Sequence, residues 1–177
     1  MEIQKYPARK EDLVVFETNN IEVFVPRWPH THATYGGHLV IRTKTPHVSC
    51  ISLTGDESLD VWAAVQACTE LMMNYLGALR TNNQDNGNWA YLPGHGGKPR
   101  FHFHIYGRSH TEDSYDGPGY QRWGLSLNFP HPTELARIDG EPAADGAVWL
   151  EYIEPYTDEQ VEFIRNMLPK LFVRAVQ

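Results

Sequence analysis

Cysteine is scarce in this chain: Cys50 and Cys68 are the only two among 177 residues, and they show no Cys-x-x-Cys spacing. Two cysteines cannot build a disulfide framework, so a reducing cytoplasm is the expected setting. Long apolar runs are missing as well. No stretch approaches the ~20 apolar residues that cross a bilayer. The leading MEIQKYPARKEDL is charged where a secretory signal would be apolar. Positive charge is also in deficit, with 15 Lys and Arg against 22 Asp and Glu and a net charge of −7. That balance argues against the broad basic surface that long nucleic acid requires, but not against a small anionic ligand. No internal repeat or low-complexity tract is present. Hydrophobic residues at 41% and charged residues at 21% suit a soluble globular protein. The length fits one domain over residues 1–177.

What is present divides into short strands and two helices. Leu13 to Glu17 and Ile21 to Val25 read as strands joined by a turn at Thr18-Asn19-Asn20. A loop rich in Pro and His follows from Arg27 to Tyr35, and Gly36-Gly37 leads into a third strand from His38 to Thr43. Thr54-Gly-Asp-Glu57 is a capping box and predicts a helix start. Val61, Val65, Cys68, Met72, Tyr75 and Leu79 then form one stripe at helical spacing, which places Cys68 in the core. Arg80 to Asn88 is dense in Asn, Asp and Gly and reads as a turn. Asn88 to Leu92 reads as a short strand, Pro93 to Gly97 as a tight loop, and Arg100 to Tyr106 as the clearest strand of all. Residues 107–146 show little periodicity, a length that often marks a functional lid or a disordered loop. A late strand is expected over Val148 to Ile153. Thr157-Asp-Glu-Gln160 is a second capping box, opening a helix with Val161, Ile164, Leu168 and Leu171 on one side and Pro169 kinking it or ending it early. The fold class is α+β, a mostly antiparallel meander with a long helix between strands three and four and a C-terminal helix.

The chemistry concentrates on Arg100-Phe-His-Phe-His-Ile-Tyr106. Residues two apart on a strand face the same way, so His102 and His104 project together, roughly 6–7 Å apart at Cα, with Arg100 and Tyr106 beside them. Phe101, Phe103 and Ile105 point to the core. Imidazole is suited to nucleophilic and acid–base work near neutral pH and attacks phosphorus when neutral. Two exposed polar positions, or a metal-chelating His-x-His pair, are alternative readings of the same pattern; no carboxylate accompanies the pair on its strand, which counts against a metal. The preceding loop offers Gly96, Gly97 and Lys98, backbone N–H groups and an ammonium suited to phosphate. The stretch from Lys98 and Arg100 to Arg108 is locally basic, which solvated surface charges alone would also explain. Among the other histidines, His30 and His32 are expected at the surface, with the cleft within reach as the alternative, His47 in local structure, and His95 near the active strand. His110 and His131 fall in the irregular region, with Tyr120 and Trp123 as aromatics able to cover a ligand.

Arg100-Phe-His-Phe-His-Ile-Tyr-Gly-Arg108 resembles the signature of the histidine-triad (HIT) family, in which three histidines alternate with apolar residues. Gly37-His38-Leu-Val-Ile upstream is similar to the family's Gly-His strand, and a long helix separates the two, as in the family. The resemblance covers about residues 12–108; it leaves out the irregular 109–147 and the strand and helix of 148–177. It implies a hydrolase or nucleotidyl transferase acting at the α-phosphate of a nucleotide, of the diadenosine polyphosphate hydrolase kind. Dinucleoside polyphosphates, nucleotide phosphoramidates and sugar nucleotides are the implied substrates, and a homodimer is implied without metal or other cofactor. His102 takes the place of the nucleophile and His104 that of the donor to the phosphate or bridging oxygen. His38 would lie at the rim of the site, Phe24 and Val25 in a base pocket, and Asn88 or Asn86 at the place of the family's asparagine. Arg100 stands where the family has its first histidine. It retains the backbone carbonyl that orients the nucleophile and would bind phosphate through its guanidinium. Lys98 with Gly96 and Gly97 replaces the family's Gly-Gln pair. A nucleotide-binding protein that has lost turnover is the alternative those departures suggest.

Overall fold

The computed structural model describes residues 6, 9–27, 29–85, 98–108, 137–138, 141–142 and 153–177. Five antiparallel strands form one sheet: β1 Leu13–Glu17, β2 Ile21–Val25, β3 His38–Thr43, β4 Arg80–Gln84 and β5 His102–Arg108. Their spatial order is β1-β2-β3-β5-β4. A separate two-stranded pair joins β6 Arg137–Ile138 to β7 Glu141–Pro142. Two α-helices, α1 Gly55–Tyr75 and α2 Asp158–Ala175, and two short 3-10 turns, Ala33–Tyr35 and Cys50–Ser52, complete the described secondary structure.

The β1–β2 turn is closed by Thr18, whose Oγ1 accepts from the amides of Asn20 and Ile21 at 3.1 and 3.2 Å. The same hydroxyl donates to Asp60 Oδ2 at 2.6 Å, and Asn20 Nδ2 donates to that oxygen at 2.9 Å, tying the turn to α1. Both helices start at complete capping boxes, Thr54 with Glu57 and Thr157 with Gln160, which satisfy amides that the first helical turn leaves open.

One face of the sheet carries Ile21, Val23, Val25, Leu39, Ile41 and Ile105, all buried, and meets Val61, Ala64, Cys68, Leu71 and Met72 of α1. Val161, Ile164, Leu168 and Leu171 of α2 join the same core. Full burial of each Val, Leu or Ile contributes about 1.5–3 kcal/mol, so this layer holds the sheet and leaves its other face available.

Several expectations change. The α1 stripe does not reach Tyr75 and Leu79, which are 46% and 48% exposed; the helix stops at Tyr75 and the chain reverses at Gly77, whose φ is +82°. The first part of the Asn-rich segment 80–88 is not a turn, and 86–88 lie outside the described residues. Arg80–Gln84 is an edge strand paired with β5 from Arg80↔Arg108 to Gln84↔His104. Its polar side chains do not alternate, because backbone pairing rather than a buried face holds it. The sheet is therefore no simple meander, since β5 inserts between β3 and β4. Pro169 does not end α2, which continues to Ala175. The strand proposed from Arg100 begins at His102 and runs on through Gly107 to Arg108. The segments 88–92 and 93–97, and all of 148–153 but Ile153, lie outside the described residues, as does 107–146 apart from the end of β5, β6 and β7. No helix among the described residues is long and apolar enough to cross a membrane.

Candidate active site

The face of the sheet turned away from α1 is built by cross-strand alternation. Arg42 lies opposite His102, Val40 opposite His104, and His38 opposite Tyr106. On the next strand Glu22 and Phe24 face Arg42 and Val40. A cavity of about 290 Å³ opens over this face, lined by Asp12, Phe24, Pro26, His30, His38, Val40, Arg42, His102 and His104.

The hydrogen bonds fix which nitrogens carry protons. His102 Nδ1 lies 3.0 Å from the carbonyl oxygen of Arg100. A carbonyl only accepts, so Nδ1 carries a proton, and in the uncharged form of the ring the lone pair falls to Nε2. A second chain runs behind it. The backbone N–H of His30 donates to His38 Nδ1 at 3.3 Å, and His38 Nε2 lies 2.9 Å from His104 Nδ1. With its Nδ1 accepting, neutral His38 donates from Nε2, and His104 is left with its proton on Nε2. One ring thus offers a lone pair and its neighbour, with ring centroids 5.0 Å apart, offers an N–H.

Burial keeps His30, His38 and His104 neutral. Desolvation, with the charges of His30, His104 and Arg108 adding to it, holds His38 well below the usual histidine value. Desolvation, then His102 and His30, brings His104 down to about 2. His30 falls to about 4 through desolvation and the nearby Arg108 guanidinium. Arg108 is itself buried, donates to Thr31 Oγ1 at 3.3 Å and lies over the Tyr106 ring. It therefore acts at the base of the face, away from the mouth.

Phe24 lines the cavity as expected, and His102 and His104 sit side by side on it. His38 is not at the rim: it is 1% exposed and packs beneath His104. Arg100 turns to Glu22, 3.6 Å away, at the end of the sheet. Lys98 is exposed and does not line the cavity. Gly96, Gly97, Asn86, Asn88, His95, His110, Tyr120, Trp123 and His131 lie outside the described residues. His30 is drawn into the site, the alternative to the surface position expected first from its loop. His32 is partly buried and accepts from the Glu154 amide at 3.2 Å, and His47 is held locally by Glu57, Thr45 and Ser52.

Sequence reasoning missed Arg42, Glu22, Asp12 and Val40. Arg42 and Val40 were within reach, because they sit four and two residues beyond His38 on one strand and so share its face. Among the described residues no group of three or more His, Cys, Asp or Glu is disposed to hold a metal ion.

No family model matches the sequence, and no curated protein matches it. Solved structures do. A zinc-bound histidine triad family protein from Mycobacterium smegmatis aligns with a TM-score of 0.50 at 17% identity, over 95% of this chain and 88% of that one. A HIT family member from Bacillus subtilis aligns at 0.45 and 14% identity, over 90% and 86%. A Hit-like protein involved in cell-cycle regulation from Bartonella henselae aligns at 0.44 and 18%, over 55% and 70%. The mycobacterial likeness establishes the fold: the five-stranded antiparallel sheet with its two helices is the histidine-triad fold.

Proposed function

We propose that the protein is a nucleotide hydrolase or nucleotidyl transferase that acts at the α-phosphate through a covalent intermediate on His102. The observation that carries this reading is the bond between His102 Nδ1 and the Arg100 carbonyl. It holds the ring in the tautomer whose Nε2 lone pair serves as a nucleophile, on a side chain that lines the cavity. In the first step Nε2 forms a P–N bond as the bond from phosphorus to the leaving oxygen breaks. His104, kept neutral by burial, donates its Nε2–H to the phosphoryl or leaving oxygen. One such positioned donor contributes about 3 kcal/mol to the transition state. In the second step water attacks phosphorus and loses a proton to solvent as the P–N bond breaks, which restores the imidazole and releases the nucleoside monophosphate; another acceptor would instead leave carrying the nucleotidyl group. Phe24 and Val40 supply the apolar floor against which a base or sugar would pack.

Arg100 serves this mechanism through its carbonyl, with its guanidinium engaged by Glu22. Diadenosine polyphosphates, nucleotide phosphoramidates and sugar nucleotides are the substrates to try first.

The experiment incubates the protein with a panel of labelled nucleotides and detects an acid-labile nucleotidyl-histidine. Wild type is expected to form the adduct and turn over. His102→Ala is expected to lose both and still bind nucleotide. Full activity in His102→Ala would overturn the assignment, and tight nucleotide binding by wild type without any adduct would reduce the protein to a binding module.

A further inference from the structure

His47, Ser52 and Glu57 form a second chain of reactive side chains, and none of the three lines the cavity. They meet where the chain passes from β3 into α1. Glu57 is the third residue of the helix and is fixed there by its capping box with Thr54. Its Oε2 accepts from the Thr54 amide at 2.9 Å, and its Oε1 lies 2.9 Å from His47 Nε2. On the other side of the ring, His47 Nδ1 lies 3.1 Å from Ser52 Oγ. A hydroxyl, an imidazole and a carboxylate thus stand in series. The carboxylate is buried, the imidazole mostly covered and the hydroxyl exposed.

The partners fix the proton positions. Burial works against the Glu57 carboxylate, but hydrogen bonds from Thr45, Thr54 and His47 hold its pKa at about 2, so near neutral pH it only accepts. Thr45 Oγ1 also lies 2.9 Å from His47 Nε2, but its own proton goes to Glu57 Oε1. His47 Nε2 therefore carries a proton, and in the uncharged ring Nδ1 holds the lone pair that faces Ser52. Ser52 Oγ has a second acceptor in the Ser49 carbonyl at 3.0 Å, so its proton is shared between that oxygen and the imidazole. A brace for the helix start accounts for Glu57 and Thr54. It does not require a hydroxyl on the far nitrogen of the histidine.

We infer that Ser52 is a nucleophile activated by His47 and Glu57, an acyl-acceptor site that takes the acyl group of an activated ester or thioester, independent of the chemistry proposed for His102. Ser52 Oγ forms a bond to the carbonyl carbon as its proton passes to His47 Nδ1. The bond from that carbon to the leaving oxygen or sulfur then breaks, and His47 gives the proton to the leaving group. Glu57 stabilises the imidazolium formed in between. The donor has to be activated, because the turn has few amides to spare for an oxyanion. Those of Ser52 and Leu53 are bonded to the Ser49 and Cys50 carbonyls at 3.3 Å. For the same reason the acyl-serine should accumulate rather than turn over quickly. Val48 and Ile51, 54% and 92% exposed beside His47 and Ser52 in the chain, offer the acyl chain apolar surface.

The test incubates the full chain with p-nitrophenyl butyrate and locates the butyryl groups by peptide mass spectrometry. Ser52 is expected to react with a second-order rate constant about a hundredfold above that of N-acetylserinamide, the size of a general-base contribution. His47→Gln should remove that advantage, and Ser52→Ala should remove the adduct. Glu57→Gln separates chemistry from scaffold. Its amide oxygen still accepts from Thr54 and keeps the capping box, while its NH2 turns to His47 and forces the proton onto Nδ1. Helical content should persist as Ser52 labelling falls to the rate of N-acetylserinamide. Labelling of wild-type Ser52 no faster than N-acetylserinamide, or undiminished in His47→Gln or Glu57→Gln, overturns the inference. An adduct on the exposed Cys50 in place of Ser52 overturns it too.

Discussion

Three histidines stacked on one face of a sheet, all held neutral, make the protein acid-labile in a window that can be worked out. His30, His38 and His104 each have a folded-state pKa below the ordinary 6.5, principally because burial disfavours the charged ring. In the unfolded chain the same rings take up protons as pH falls through 6.5. Between that point and the folded values, about 4 for His30 and about 2 for His104, the unfolded state binds more protons. Stability is therefore complete above 6.5 and is lost as pH drops. From 6.5 to 5.0 each ring costs about 2 kcal/mol, at 1.36 kcal/mol per pH unit. The three together cost about 4–6 kcal/mol, allowing for the partial exposure of His30 and His104. A domain of this size has about 5–15 kcal/mol in total, so much of it is at stake by pH 5. Glu57 extends the effect further down. Burial works against its carboxylate, but hydrogen bonds from Thr45, Thr54 and His47 outweigh it and hold the pKa at about 2, so its share is lost below about 4.5.

The assay is chemical denaturation at half-unit steps from pH 7.5 to 5.0, followed by tryptophan fluorescence. The unfolding free energy should fall with a slope approaching three protons, and His38→Gln should lower that slope by about one. A free energy that stays within about 1 kcal/mol across the range would refute the premise that these rings are buried and neutral.

Two other substitutions test the frame around the site. Gly37 has φ +70°, and a Cβ there would lie 2.2 Å from Tyr156 Cζ, so Gly37→Ala should cost about 2–5 kcal/mol in thermal or chemical unfolding. Pro169 lies in the interior of α2 without an amide to donate, so Pro169→Ala should stabilise the protein by up to about 3 kcal/mol and raise the melting temperature.

Elements whose signal is local were legible in the residues. Both capping boxes, the β1–β2 turn and the alternation of β5 depend on residues within one or two turns of chain; the first two stand where their patterns put them, and β5 is shifted by two residues to His102–Arg108. What sequence could not reveal depends on contacts across long separations. Arg80–Gln84 is a strand because β5 pairs with it, and nothing in its polar side chains announces that. His30 belongs to the site because its loop folds back over His38, eight residues on, a distance no periodicity spans. His38 was found as a strand residue, but its depth follows from packing against Tyr106 and His104. Arg42 was legible in principle, since counting four residues from His38 places it on the same face.

Position 100 shows how backbone and side chain can be uncoupled. Under the proposed mechanism the nucleophile needs one thing from that position, a carbonyl within reach of His102 Nδ1, and every residue type supplies it. The side chain is then released from the chemistry. Alternation puts it on the cavity face but one step beyond the strand, beside Glu22, where a long cation reaches a carboxylate that a histidine ring would not span. That carboxylate also holds Arg42, so Glu22 gathers two guanidinium groups without disturbing the His102 bond. An arginine at this position thus leaves the bond from His102 Nδ1 to its carbonyl intact, because that bond draws on backbone alone.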